Sequence, residues 1–165
     1  GAAKRLLNAR CGSVASRPSF RAAFRSRRCL VPMSGFYEWQ REGGQKLPWH
    51  FAAAGGGLLA AAAIWEPWAG AEGVAFEGLA LLTTEANALM APVHHRMPVL
   101  LPAPAWAAWL APETPREELE PLLGPAPEEL LQRWRVSTAV NRASYDDPAC
   151  VAPARPEGLY DEPGA

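Results

Sequence analysis

Two short segments carry the side chains best suited to acid–base chemistry. In Gly35-Phe36-Tyr37-Glu38-Trp39 a single carboxylate sits among aromatic residues. Desolvation in such a setting raises a carboxyl pKa, so Glu38 is a candidate for shuttling a proton near neutrality; the plainer alternative is a solvent-facing position on an alternating strand. In His94-His95-Arg96-Met97-Pro98 a histidine lies close to an arginine. A nearby cation favours the neutral imidazole that a general base needs, which makes His94 the matching candidate, against the alternative of a histidine that only hydrogen-bonds within a loop. Consecutive residues on a strand point to opposite faces, which argues against His94 and His95 sharing a metal. Asn8 offers an amide that either orients a substrate or nucleophile or simply ends a turn.

The cysteines suggest less. Cys11, Cys29 and Cys150 are an odd number at spacings that match neither a zinc motif nor a disulfide framework, so reduced thiols in a cytoplasmic protein are expected. Cys29, next to Leu30 and Val31, reads as a buried and inert thiol.

Positioning these groups requires a set of short elements, because 17 prolines and 14 glycines interrupt the chain. Residues 18–27 are expected to be helical, with Pro18 in the first turn and Phe20 and Phe24 on the buried side. Residues 29–32 form a strand leading into a turn at Gly35, and 36–40 a second strand ending at the Gly43-Gly44 turn. Residues 49–53 and 58–65 flank Gly55-Gly56-Gly57 and are expected to pair as a hairpin, although the alanines at 60–63 favour helix by propensity. A strand over 76–83 is followed by Thr84 as the cap of a helix running to about Met90. A short helix over 102–110 carries Trp106, Trp109 and Leu110 on one side. Thr114-Pro115-Arg116-Glu117 has the pattern of a capping box opening a helix through Leu123. A further short helix is expected over 127–134 and a last strand over 135–140. The mixture is α+β, with strands too scattered and connections too short for a doubly wound parallel sheet.

A chain of 165 residues, 49% hydrophobic and 20% charged, supports one core, and we expect a single domain over 1–153 with a disordered tail over 154–165. The net charge of −1 argues against a surface coated in positive charge but permits a local basic groove. Arg5, Arg10, Arg17, Arg21, Arg25, Arg27 and Arg28 crowd the first part of the chain, while acidic residues gather at 113–129. No apolar run approaches the roughly 20 residues a membrane span requires, and no basic-then-apolar leader is present, so a soluble, unexported protein is expected.

Taken together, the motifs have a counterpart. Asn8-Ala9-Arg10, Pro18-Ser19-Phe20-Arg21, Arg27-Arg28-Cys29-Leu30-Val31-Pro32, Gly35-Phe36-Tyr37-Glu38-Trp39, Leu82-Thr83-Thr84-Glu85-Ala86-Asn87 and His94-His95-Arg96-Met97-Pro98 follow one another in order. In that order and approximate spacing the chain resembles the SOS response-associated peptidase (SRAP) family, from about Leu7 to Leu110 and more weakly through Asp147-Pro148. The resemblance implies a barrel-like core of mostly antiparallel strands with short peripheral helices. It also implies abasic-site processing. In the family an N-terminal cysteine links covalently to an abasic site in single-stranded DNA, its α-amine forming a Schiff base and its thiol closing a thiazolidine, with an associated autopeptidase activity.

By resemblance, Asn8 would position the cysteine, Glu38 would move protons during Schiff-base formation, and His94 would assist opening of the sugar ring. Arg10 and Arg96 would pair with phosphates, Trp39 would stack a base and Thr83 would bind the backbone. No cofactor or metal is implied. The implied partner is single-stranded DNA containing abasic sites, with no membrane association, and the implied protein is a cytoplasmic, nucleoid-associated monomer.

The chain departs from the family's pattern in two ways. The family's opening segment with its catalytic cysteine has no counterpart here, so a fragment that is inactive as it stands is expected. After Asn8-Ala9-Arg10 come Cys11, Gly12 and Ser13, where the family usually has a small residue and then a glutamate. Cys11 has no free α-amine and cannot close a thiazolidine. Two other classes stay open: a non-covalent single-stranded-DNA binding module, and a thiol hydrolase using Cys11 or Cys29 with His94.

Overall fold

The alanine run at 60–63 sits at the centre of the molecule, buried on both sides, and this burial decides its conformation. Helix propensity favours alanine by fractions of a kcal/mol per residue, whereas a central strand needs small side chains where two cores press on opposite faces. In the computed structural model, which describes residues 8–69 and 75–154, all four alanines are buried in a strand. Arg5 and the expected disordered stretch beyond Ala154 lie outside the described residues.

The strands are β1 (Asn8–Arg10), β2 (Arg28–Met33), β3 (Gly35–Glu42), β4 (Gln45–Ala53), β5 (Leu59–Ala69), β6 (Ala75–Glu85), β7 (Arg96–Pro98) and β8 (Leu131–Arg135). The helices are α1 (Cys11–Val14), α2 (Arg21–Ser26), α3 (Trp106–Leu110) and α4 (Arg116–Leu119), with short 3₁₀ turns between them. One sheet has the order β1-β6-β5-β2, with β7 added to β6; the other has the order β3-β4-β8. Pairing is antiparallel except for β1 with β6. Ala62, Ile64, Ala80 and Leu82 face one core with Phe20, Phe24 and Trp109 from the helical side. Leu59 and Ala61 face a second core with Phe51, Met90, Met97 and Leu131. The alternation along β5 thus makes the larger sheet the middle of three layers.

The α+β class and the mostly antiparallel pairing hold, but the sheets do not close into a barrel. Neither do β4 and β5 form the expected hairpin: β4 pairs with β3 and β8, and β5 with β2 and β6. Gly56 and Gly57, at φ of 75° and 83°, turn the chain from one sheet to the other. Thr84 is buried inside β6 and caps nothing; Asn87 replaces the expected helix with a turn, its Oδ1 accepting from the Met90 N–H at 3.0 Å. Thr114 forms no capping box, because its hydroxyl donates to the Ala108 carbonyl at 2.6 Å; helical structure nonetheless runs to Leu123. Of the expected side Trp106, Trp109 and Leu110, only Trp109 is buried. Residues 131–134 are strand where helix was expected, and residues 138–140 lie in a 3₁₀ turn where strand was expected, because Leu131 fills the second core and β4 offers its free edge.

Gly35 ties the first residue of β3 to its neighbour. A Cβ there would lie 2.5 Å from His50 Cε1, His50 Nε2 and the Phe51 carbonyl oxygen, all on β4. Gly35→Ala is therefore expected to cost about 1–3 kcal/mol through overpacking, read as a lower urea midpoint at unchanged m-value. An unshifted midpoint would mean that β3 can move away from β4 without cost.

Candidate functional site

Alternation along β3 sends Glu38 and Trp39 to opposite faces, and the strand lies at the edge of its sheet, so both side chains reach one opening. They line a cavity of about 470 Å³ with Arg41, Lys46, His94 and Asn141. The Glu38 side chain is 28% exposed, half-buried as a proton-shuttling group requires, while Trp39 is 36% exposed and so is not a core residue. Partial burial raises the Glu38 pKa above its ordinary value of 4.5, opposed by His94, the Trp39 backbone and His95. The pull of desolvation that the aromatic flanks suggested therefore prevails.

His94 Nδ1 lies 3.9 Å from Glu38 Oε1, too long for a hydrogen bond, so the imidazole and the carboxyl stand side by side without pairing directly. The same nitrogen is 2.9 Å from the Arg96 carbonyl oxygen and 3.2 Å from the Arg96 nitrogen. The first contact needs a proton on Nδ1 and the second needs a lone pair there. The shorter one favours Nδ1–H donating to the carbonyl, which leaves Nε2 as the basic nitrogen. His94 and His95 precede β7 and are not in a strand; their ring centroids are 4.5 Å apart, so strand alternation does not separate them. Among the described residues no group of three or more His, Cys, Asp or Glu is arranged to hold a metal.

A second set adjoins the first. Arg96 Nη2 donates to the Thr83 carbonyl and to Thr83 Oγ1, the latter at 3.1 Å, and the Thr83 hydroxyl donates to the Ala9 carbonyl at 3.5 Å. Arg96 Nε is buried with no partner among the described residues, a spare donor. On β1, Asn8 and Arg10 flank Ala9 with exposed side chains, and Arg10 is in register with Thr83. Glu38, His94, Arg96, Thr83 and the β1 backbone thus form one continuous line of contacts. Asn8 and Arg10 join it through the backbone only.

Sequence reasoning overlooked Arg41, Lys46 and Asn141. A register signal existed for the first two, because a tight turn at Gly43-Gly44 sets Arg41 opposite Lys46. For Asn141 there was none, since it is 102 residues from Trp39, whose indole N–H it accepts at 2.7 Å. Elsewhere, Cys29 is partly buried and burial raises its pKa, which disfavours the thiolate a hydrolase needs. Cys11 packs against the helical core. Another cavity, of about 520 Å³ between α2 and α4, is lined by arginines and holds no acid–base pair. Its Arg28 spends its donors on the Phe24, Arg25, Trp109 and Ala111 carbonyls.

The raised Glu38 pKa has a stability consequence. The folded chain binds this proton more tightly than the unfolded chain, so the ionised carboxyl lowers stability as pH rises from the ordinary value of 4.5 through the folded pKa. Glu38→Gln is expected to melt at a higher temperature than the parent near neutral pH and to lose that advantage in acid. Equal melting temperatures at both ends of the pH range would overturn this.

A family model described as SOS response associated peptidase (SRAP) matches residues 1–143. The abasic site processing protein YoqW of Bacillus subtilis is 33% identical over 149 residues, covering 89% of this chain and 66% of YoqW. The abasic site processing protein HMCES of Gallus gallus is 33% identical over 170 residues, covering 88% of this chain and 49% of HMCES. The chain thus spans just under two thirds of YoqW and about half of HMCES. A crystal structure of a protein from Bacteroides thetaiotaomicron superposes with a TM-score of 0.87 at 30% identity, covering 92% of this chain and 67% of that one. No helix among the described residues is long and apolar enough to cross a membrane.

Proposed function

The chain belongs to the SOS response-associated peptidase family, and from that premise we propose that it binds abasic sites in single-stranded DNA and catalyses proton transfers that expose and condense the sugar aldehyde. The observation that carries the reading is the half-buried Glu38, with its raised pKa, 3.9 Å from His94 beside an exposed tryptophan. An abasic deoxyribose is mainly a cyclic hemiacetal. Its opening breaks the bond between C1 and the ring oxygen, removes a proton from the C1 hydroxyl and delivers one to the ring oxygen. His94 Nε2 acts as the base and the protonated Glu38 carboxyl as the acid.

An amine then adds to the aldehyde; the Glu38 carboxylate left by ring opening takes the proton that the added nitrogen sheds and returns it to the carbinolamine hydroxyl, which leaves as water as the imine forms. In the covalent reaction that the family resemblance implies, the amine belongs to an N-terminal cysteine whose thiol adds to the imine carbon and closes a thiazolidine. Cys11, Cys29 and Cys150 are internal, and their nitrogens are amides. The part of the reaction assigned to this chain is therefore sugar opening and proton transfer. Arg10, Arg96 and Thr83 supply phosphate contacts, and Asn8 orients the attacking group.

The test needs no protein nucleophile. A soluble alkoxyamine in excess traps each aldehyde as an oxime, so its rate of capture at an abasic site reports ring opening. The parent chain is expected to accelerate capture, and this acceleration is expected to depend on Glu38 and His94. A second reading, non-covalent strand binding, is favoured by the spare Arg96 Nε donor and the exposed Trp39. It predicts salt-steep binding that is equal for aldehyde and borohydride-reduced sites, with no acceleration of capture.

A further inference from the structure

The cavity lined by Glu38 and His94 also holds charged and amide groups that the acid–base reading leaves unused. Trp39 and Arg41 are two residues apart on the same face of β3, about 6.6 Å along the strand. Lys46 stands directly across from Arg41 on β4. Like charges facing each other across a ladder destabilise a hairpin, and neither cation has an ion-pair partner among the described residues. A bound anion would remove that repulsion. Among the described residues Glu38 is the only acidic one lining the cavity, and its raised pKa reduces its negative charge.

Asn141 organises these groups from the far end of the chain. Its Oδ1 accepts the Trp39 indole N–H at 2.7 Å, and its Nδ2 donates to the Lys46 carbonyl at 3.3 Å. One amide thereby fixes the orientation of an exposed ring and ties it to the strand carrying Lys46. An exposed tryptophan held in one rotamer loses less freedom when a flat partner stacks on it.

We infer that Trp39, Arg41, Lys46 and Asn141 form a nucleotide subsite beside the Glu38–His94 pair. The base of a nucleotide next to the abasic position stacks on Trp39, and its phosphate lies between Arg41 and Lys46. Asn141 is the positioning residue that holds the ring. The inference rests on the DNA reading above, in which Trp39 already stacks a base, and extends it to Arg41, Lys46 and Asn141.

The test uses the chain and a single-stranded oligonucleotide with one central reduced abasic site, titrated by fluorescence anisotropy over a salt series. Arg41→Gln with Lys46→Gln is expected to weaken binding about tenfold at low salt. It should also make the slope of log affinity against log salt shallower by about 0.7 for each phosphate that is no longer neutralised. Asn141→Ala is expected to weaken binding about three- to tenfold with the slope unchanged. That loss should vanish in a Trp39→Phe background, which has no indole N–H to hold.

An unchanged slope in the Arg41/Lys46 variant overturns the phosphate assignment. An equal Asn141→Ala loss in the Trp39→Phe background shows a general structural role and overturns the positioning assignment. Absence of binding by the parent chain overturns the DNA reading itself, and the subsite with it. All four side chains are at the surface, so each variant is expected to fold, and the Arg41/Lys46 variant, relieved of the repulsion across the ladder, should melt no lower than the parent.

Discussion

Glu38→Gln is expected to slow oxime capture at an abasic site by about a hundredfold relative to the parent chain, and His94→Ala by a similar factor. The expectation follows from the separate tasks of the two groups. Opening the hemiacetal needs one proton removed and another delivered, and glutamine in place of Glu38 keeps the shape of the side chain without a proton to give. Partial burial favours the protonated carboxyl, and the Nδ1 contact with the Arg96 carbonyl leaves His94 Nε2 free to accept. The pH profile adds a second signature. Protonated Glu38 is the active form, so the parent's acceleration should fall as pH rises through the folded pKa, and Glu38→Gln should lose that limb. Because both groups act on the same step, the double variant should be little slower than either single one. Parent-like capture rates in both single variants would exclude this pair as the acid and base.

Trp109→Ala is expected to remove about 3–5 kcal/mol of stability. This ring is fully buried, lies 6.1 Å from the Phe24 ring and donates its indole N–H to the Cys29 carbonyl at 2.9 Å. Its own carbonyl accepts from Arg28 Nε at 2.7 Å. Truncation therefore leaves a cavity against α2 and an unpaired carbonyl in β2, while the buried Arg28 loses the packing that shields it. Typical domains have only about 5–15 kcal/mol to lose, so the variant should show a large drop in urea midpoint. Trp109→Phe keeps most of the ring and should lose about 1–3 kcal/mol, mainly for the unpaired carbonyl. A midpoint shift below about 1 kcal/mol in Trp109→Ala would show that the helical layer adds little to the larger sheet. Trp109 packs in the helical core, whereas Glu38 lines the cavity by His94. Molecules of the alanine variant that remain folded should accordingly keep their capture rate.

Local chemistry was the more legible part of this chain. The apolar run around Glu38 marked it for partial burial, although Tyr37 and Trp39 themselves point to the other face of the strand. The turn at Gly43-Gly44 was readable because positive φ is easy only for glycine, and both residues adopt it. Phe20 and Phe24 were recognisable as a buried pair by helical spacing, and both are buried. Errors arose where a local signal had a distant competitor. The Thr114 hydroxyl chose the Ala108 carbonyl over the helix it precedes, and Thr84 remained in a strand held by β7.

By itself the sequence determined the α+β class, the strand at 60–63 despite its alanines, the order of the family's motifs, and the carboxylate and imidazole worth pairing. Tertiary structure alone decided that β4 and β5 enter different sheets, that Glu38 and His94 stand 3.9 Å apart, and that Asn141 holds Trp39. The physical reason is one of range. Desolvation by neighbours, backbone strain and periodic burial act over a few residues and leave a mark in composition and spacing. The partner of a strand edge, or of an indole N–H, is chosen among all the groups that packing brings near, and that choice depends on how two cores fill the opposite faces of one sheet.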